Sequence, residues 1–309
     1  MMQHSNKYNL VVVLGPTASG KTALAAPLAH QINGEIISAD SRQVYCRMNL
    51  GTGKDYSDYI IEGQQVPYHL IDIAEPGYKY NVYEYQRDFF KAFEDICGRD
   101  KFPIMCGGTG MYIEAVLSGF KMIQVPSNPE LRKELEDKEL AHLADMLKTM
   151  KKLHNTTEMD TKKRAIRAIE IETYYQNNTQ IDVVLPKLNP LIIGVDINRQ
   201  LRRDKITKRL KDRLQEGMIE EVKEIINAGV KPADLMYYGL EYKYVTQYVL
   251  GQITYAQMFE QLNIAIHQFA KRQMTWFRKM ERSGFNIQWL NAQNHLESNV
   301  QQIKLLLFG

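Results

Sequence analysis

Residues 15 to 22 read Gly15-Pro-Thr-Ala-Ser-Gly-Lys-Thr22, directly after the apolar run Asn9-Leu-Val-Val-Val-Leu14. The order is strand, glycine-rich loop, helix, and the spacing is the G-x-x-x-x-G-K-T of a phosphate cradle. Gly15 and Gly20 let the backbone turn its N–H groups inward across Pro16, Thr17, Ala18 and Ser19. Lys21 reaches the outer phosphates, and the Thr22 hydroxyl stands where it can hold Mg²⁺ at the N-terminus of a helix whose dipole favours anions. A plain glycine turn between a core strand and a helix would leave the coincidence of four fixed positions unexplained. The chain is expected to handle a di- or triphosphate.

Asp40 follows a second apolar strand, in Ser38-Ala-Asp-Ser-Arg-Gln-Val-Tyr45. At that strand end a carboxylate faces the phosphate loop and could accept a proton from an incoming nucleophile. It could equally cap a helix, as Asp and Ser both do. Gly107-Gly-Thr-Gly110 is another tight turn after a strand, with Thr109 and Tyr112 in reach of a substrate, although loop glycines often only turn the chain. Three basic clusters stand out: Lys162 to Arg167, the run Arg199, Arg202, Arg203, Lys205, Lys208 and Arg209, and Lys271 to Lys279. Any one of them reads as a solvated helix face. Three together, with aromatic residues among them, suit a nucleic acid, because phosphates need cations and unstacked bases need aromatic surfaces. Lys163 and Arg167 are four apart and Arg164 and Arg167 three apart, so they share one helix face. Trp276 reads as core, and His69, with no visible partner, as structural.

The elements that must position these residues alternate in the first third of the chain. Strands are expected at Leu10 to Leu14, Glu35 to Ala39 and Phe102 to Cys106, with helices after Gly20 and around Val82 to Cys97. That alternation predicts an α/β fold: a parallel sheet with flanking helices, of the P-loop NTPase kind, with ligands at the carboxyl ends of its strands. From Lys121 the texture changes. Residues 130 to 178 are charged and helical in period, strand character returns at Leu191 to Val195, and a mostly helical part follows from Arg199 to about Arg282. The expected division is a core of residues 1–120 and 184–309, with its helical C-terminal part, and a helical insertion of residues 121–183.

The 309 residues carry 39 Lys and Arg against 36 Asp and Glu, a net charge of +3, so no whole-molecule field announces a polyanion and local charge must carry that argument. Cys46, Cys97 and Cys106 show no metal-ligand spacing, so no zinc or disulfide framework is implied, which fits a reducing compartment. The first apolar stretch is a short strand, far below the length of a signal-peptide core or a membrane span. A cytoplasmic protein without a membrane partner is expected.

Taken in order, Gly15 to Thr22, Asp40 to Tyr45, Gly51-Thr-Gly-Lys54, Gly107 to Tyr112 and Ala270-Lys-Arg-Gln-Met-Thr-Trp-Phe-Arg278 resemble the tRNA dimethylallyltransferase family over nearly the whole length. The resemblance implies transfer of a dimethylallyl group from dimethylallyl diphosphate to N6 of the adenine 3′ of the tRNA anticodon, with release of diphosphate. The phosphate loop would hold the donor, although such loops are often described as ATP-binding. Lys21 and Mg²⁺ at Thr22 would neutralise the leaving group, Asp40 is similar to the family's general base, and Arg199 to a further diphosphate-binding arginine. The family's tRNA contacts map onto Asp40, Ser41, Arg42, Gln43, Thr109, Arg132, Lys163, Arg164, Ala165, Ile166 and Arg167, which would clasp the anticodon stem-loop. A monomer is expected.

The chain departs from the family pattern at His154 to Asp160, at acidic Glu241 in Tyr238-Gly-Leu-Glu-Tyr242, and at His267, where arginine is frequent. Other readings stay open at this point. A small-molecule kinase would use the loop and Asp40 equally well but leaves the basic clusters unexplained. A free-nucleotide isopentenyltransferase would have no anticodon arm for the insertion to hold. A non-catalytic nucleic-acid binder would leave Asp40 and the phosphate loop idle.

Overall fold

The structure, a computed structural model, describes residues 7–150, 159–178 and 184–309. In chain order Leu10–Leu14 forms β1, Lys21–Gln31 α1, Gly34–Ala39 β2, Ile60–Ile61 β3, Gln64–Gln65 β4, Tyr68–His69 β5, Val82–Gly98 α2, Phe102–Gly107 β6 and Gly110–Leu117 α3. Pro129–Glu136, Leu140–Met150 and Lys162–Asn177 are α4, α5 and α6. Pro190–Asp196 is β7, followed by α7 at Arg199–Gln215, α8 at Met218–Asn227, α9 at Pro232–Leu235, α10 at Leu240–Val249, α11 at Tyr255–Arg282, β8 at Ile287–Asn291 and α12 at Leu296–Phe308.

The chain divides into two compact units, one running to Phe120 and resuming with Pro186–Gly309, the other Lys121–Leu185. The first is built on a six-stranded sheet in the order β5-β2-β6-β1-β7-β8, parallel throughout, with β3 and β4 as a separate hairpin. A parallel sheet must be covered on both faces, so its strands read as unbroken apolar runs. Every residue of β1 and β2 is buried. Val11 and Val13 of β1 join Leu24 and Leu28 of α1 and Val300 and Ile303 of α12 in one core cluster. Helix α2 begins where Asn81 and Glu84 cap each other's backbone N–H groups, and α11, 28 residues long, begins with the same device at Thr254 and Gln257.

The strands expected at Glu35 to Ala39, Phe102 to Cys106 and Leu191 to Val195 are each present and slightly longer. The two edge strands are additions. β5 has two residues and β8 reads Ile-Gln-Trp-Leu-Asn; neither offers the apolar run by which a strand is recognised, and each is held in place by a longer neighbour. The expected helical C-terminal part is broken into five helices before β8.

In the second unit α4, α5 and α6 bury Leu135, Leu143, Leu147, Ala165, Ile166, Ala168 and Ile169 among themselves. Buried beneath them, Glu170 accepts both arms of the Arg132 fork at 2.8 Å and the Asn128 N–H at 2.6 Å, and pairs with Arg167. Burial opposes its charge, but the Arg132 fork, the Asn128 N–H and Arg167 together hold its carboxyl down at about 2. Residues 154 to 158 of the divergent stretch His154 to Asp160 lie outside the described residues.

Candidate active site

The register puts Gly107 beside both Leu14 and Ala39, so β1, β2 and β6 end side by side and release their loops at one edge. Only glycine fits at position 107: an added Cβ would lie 2.3 Å from the Ala39 carbonyl oxygen. Gly15 is similarly confined, with Ser19 Oγ at 2.8 Å and Val195 O at 3.0 Å from such a Cβ. The loop between turns through left-handed backbone at Ala18 (φ 60°) and Gly20 (φ 87°). Lys21 Nζ donates to Pro16 O at 2.9 Å, folding the lysine back over the loop. The Ser19 hydroxyl is buried with no hydrogen-bond partner among the described residues.

Two other elements close on this loop. From α11, Gln273 Oε1 accepts the Thr17 N–H at 2.8 Å while its Nε2 donates to Gly108 O at 2.9 Å, tying the phosphate loop to the Gly107–Gly110 turn. From α7, Arg209 Nη2 donates to Thr17 Oγ1 at 2.5 Å. Asp40 is held by its own turn, Oδ1 accepting the Arg42 N–H at 2.8 Å and the Gln43 N–H at 3.4 Å. Thr109 Oγ1 accepts the Ser41 N–H at 3.0 Å. Gln43 Nε2 donates to Gly53 O at 3.0 Å.

The Gly51 to Lys54 segment is clamped rather than free. Glu221 accepts the N–H groups of Asn49 and Leu50 at 2.8 Å and of Gly51 at 3.2 Å. Arg213 donates to Leu50 O at 2.9 Å and pairs with Asp55, and the buried Lys54 ammonium reaches Tyr45 O at 2.5 Å and Asp72.

Two adjoining cavities open at this edge. A polar one of about 140 Å³ is lined by Lys21, Thr22, Asp40, Asp58 and Arg209. A larger one of about 490 Å³ has an apolar wall of Met111, Leu240, Ile266, Phe269 and Trp276. Asp40, Thr17, Gly108 and Gln273 border both. Burial pushes the Lys21 ammonium down to about 8, although Asp40 favours its charge. Burial likewise pushes the Cys106 thiol up to about 11 and raises Asp58, beside Asp55. Glu241, in the first turn of α10, lines the larger cavity, and burial raises its carboxyl despite Arg209 and Arg213. His267 is lowered by burial and by Arg203 and Arg202, and lies 3.3 Å from Thr207 Oγ1.

The structure thus gathers Gly15 to Thr22, Asp40 to Gln43 and Thr109 at one edge, but not every expected residue fits. Arg199 is exposed at the first turn of α7 and lines neither cavity. Arg209, ten residues and roughly 15 Å further along the helix, is the arginine that meets the phosphate loop. Ala165 and Ile166 are core residues of the second unit, 0 and 5% exposed, so their side chains are withheld from any RNA. Arg132 and Arg167 are committed to buried Glu170, whereas Lys163 is exposed and Arg164, also exposed, pairs with Asp160 at 3.3 Å on the surface. Trp276 lines the larger cavity instead of filling the core: Gly110 lies against its ring, and its Nε1 is buried without a partner among the described residues. His69 has a partner, Glu35 Oε2 at 2.7 Å, at the amino end of β2 and away from Asp40. There Arg99 and His69 hold Glu35 down to about 2 against burial, a structural arrangement. Sequence reasoning passed over Gln273 and Arg209, both inside recognised basic clusters. Their signal is a polar residue on the buried face of an otherwise amphipathic helix.

A family model described as IPP transferase matches residues 43–280, and one described as Isopentenyl transferase matches residues 8–66. The chain belongs to the IPP transferase family. It is 60% identical over 301 residues to tRNA dimethylallyltransferase 2 of Phocaeicola vulgatus, covering 97% of this chain and 98% of that one. It is 58% identical over 293 residues to tRNA dimethylallyltransferase 1 of Parabacteroides distasonis, covering 95% of each. The crystal structure of the full-length tRNA isopentenylpyrophosphate transferase of Bacillus halodurans superposes with a TM-score of 0.70 at 30% identity, over 97% of this chain and 95% of that one. Membership of the IPP transferase family makes this chain a prenyltransferase, with the mixed α/β architecture of that family's solved members.

Proposed function

We propose that this chain transfers the dimethylallyl group of dimethylallyl diphosphate to N6 of the adenine 3′ of the anticodon in tRNA and releases diphosphate. The observation that carries the reading is the position of Asp40 on the wall shared by a polar cavity and a larger, apolar-walled one. The polar cavity suits the donor's diphosphate, held by the loop N–H groups, Lys21 and Arg209. The larger one suits an adenine extruded from the anticodon-loop stack, as enzymes acting on a base require. The N6 nitrogen attacks the first carbon of the dimethylallyl group, the carbon–oxygen bond to diphosphate breaks with its electron pair leaving on oxygen, and Asp40 accepts the N6 proton. Lys21 and Arg209 stabilise the charge that develops on the departing diphosphate.

The oxygen donors at the loop suit a hard divalent cation such as Mg²⁺. The Thr22 hydroxyl lines the polar cavity, and no cluster of three or more His, Cys, Asp or Glu among the described residues could hold a metal by itself, so the cation would arrive with the diphosphate. Bound there, Mg²⁺ supplies neutralisation of phosphate charge.

In the first unit Ser41, Arg42, Gln43 and Thr109 would contact the acceptor RNA; in the second, taken by itself, the exposed Lys163 and Arg164 offer cations to RNA phosphates. No helix among the described residues is long and apolar enough to cross a membrane. We place the enzyme with its tRNA in the cytoplasm, acting as a monomer.

The test is incubation with radiolabelled dimethylallyl diphosphate and either unmodified tRNA or AMP. Label on N6 of the adenine next to the anticodon is expected. Label on AMP with none on tRNA would replace this reading with free-nucleotide prenylation.

A further inference from the structure

Tyr237 lies between α9 and α10 and is 52% exposed. Its neighbour Tyr238 is fully buried and pins the backbone: the Tyr238 hydroxyl accepts the Gly77 N–H at 2.6 Å and donates to Tyr78 O at 2.8 Å, and its ring lies 4.3 Å from that of Tyr45. Tyr237 is therefore held outward by a fixed main chain, its ring meeting that of Tyr238 edge-on at 5.8 Å. Two cations approach it, the Arg42 guanidinium at 5.7 Å and the Lys79 ammonium at 5.9 Å from the ring centre. Lys79 also lies 3.8 Å from Asp234, whereas Arg42 has no carboxylate within 4 Å among the described residues. Arg42 and Gly239, two residues after Tyr237, both line the larger cavity beside Asp40.

An exposed aromatic ring, a guanidinium without a carboxylate and a second cation at a cavity mouth form a set with one natural complement. An unstacked nucleotide offers a π face to the ring and a phosphate to the cations. A protein partner would also cover a tyrosine, but two cations on one exposed ring favour a polyanion. We propose that Tyr237, flanked by Arg42 and Lys79, is a stacking platform for an anticodon-loop base adjacent to the acceptor adenine. The inference rests on the tRNA-prenylation reading. Extruding the acceptor strips a stacking neighbour from each adjacent base, and Tyr237 returns a π surface to one of them, holding the loop open. It is a positioning residue and does not touch the reacting atoms.

The test compares three anticodon stem-loop RNAs: intact, and abasic immediately 5′ or 3′ of the acceptor. KM is measured at saturating donor for wild type, Tyr237→Ala, Tyr237→Leu and Tyr237→Phe. In the wild type, one abasic RNA raises KM roughly 5- to 160-fold, the range expected for one base on one aromatic side chain. Tyr237→Ala and Tyr237→Leu raise the KM of the intact RNA comparably and lose discrimination against that abasic RNA, while Tyr237→Phe keeps both. Two results overturn the platform: wild type that ignores both abasic sites, or Tyr237→Ala and Tyr237→Leu that discriminate as wild type does. Absence of prenylation of the intact stem-loop by the wild type would instead overturn the reading on which the platform rests.

Discussion

The Gln273 side chain accepts the Thr17 backbone N–H at 2.8 Å, joining residues 256 apart in the chain, while its other end donates to Gly108 O. One buried amide thus sets the spacing between the two loops that frame the reaction. Gln273→Ala leaves two backbone groups without their partner, about 1–3 kcal/mol for each that stays buried and unsatisfied. Thermal unfolding should shift down and donor KM should rise together. Gln273→Glu keeps the acceptor for Thr17 but sets a carboxylate against Gly108 O and beside the diphosphate, so donor affinity should fall further than with alanine. A Gln273→Glu enzyme binding donor as tightly as wild type would contradict this arrangement.

Lys21 gives the site a pH dependence. Burial pushes its ammonium down to about 8, so it is charged below that pH and loses its charge above it. Diphosphate affinity should therefore fall as pH rises past this point, by up to about tenfold per unit. Lys21→Ala should bind more weakly and lack this limb. Calorimetric titration with pyrophosphate from about pH 7 to about 9.5 checks it; an identical slope in both proteins would assign the titration to another group.

The acid stability of the second unit should follow Glu170. Its folded carboxyl sits at about 2, below the ordinary 4.5. The lowered pKa contributes stability that is present above the ordinary value and is lost as pH falls through the folded one. Glu170→Gln should reduce stability at neutral pH and flatten the acid limb between these values, read by hydrogen exchange across α4 to α6. An unchanged acid limb would mean that the Arg132 and Arg167 pairings do not hold the charge.

The cations of α6 should separate into two kinds. Lys163→Ala with Arg164→Ala should weaken tRNA binding without loss of stability. The slope of log affinity against log salt should fall by up to about one unit for each phosphate that is no longer neutralised. Arg167→Ala should instead destabilise the unit, because it leaves Glu170 short of a partner. Salt-dependent binding measured beside thermal unfolding distinguishes them. Equal salt slopes for the double variant and wild type would leave Lys163 and Arg164 as solubilising charges only.

Much of the site was legible because its residues are local in sequence. The loop from Gly15 to Thr22 and the turn at Asp40 each follow a strand whose apolar run announces it, and the parallel sheet then brings the strand ends together. Arg209 and Gln273 were legible only as charge and polarity on helices, since what selects them is which helix face meets the sheet edge, and that is settled by tertiary packing. Arg199 is expected at the diphosphate only through the family resemblance, and the structure leaves it exposed to solvent. Ala165 and Ile166 show how a basic motif carried over whole includes residues whose side chains bury the helix's other face. Trp276 looked like core because large aromatics usually are; the close approach allowed by Gly110 sets its ring at the cavity instead. The edge strands β5 and β8 had no local signal strong enough to compete with the helices around them.

Single-turnover prenylation of tRNA by Asp40→Asn, measured with donor and tRNA affinities on the same protein, tests the central claim most directly. The side chain keeps its size and an oxygen to accept the Arg42 N–H, so the turn should hold. The account predicts a loss in the chemical step of roughly 10²- to 10⁴-fold, the usual contribution of a general base, with both affinities close to wild type. Prenylation at the wild-type rate, or a large loss of tRNA affinity with normal chemistry, would contradict Asp40 as the group that takes the N6 proton.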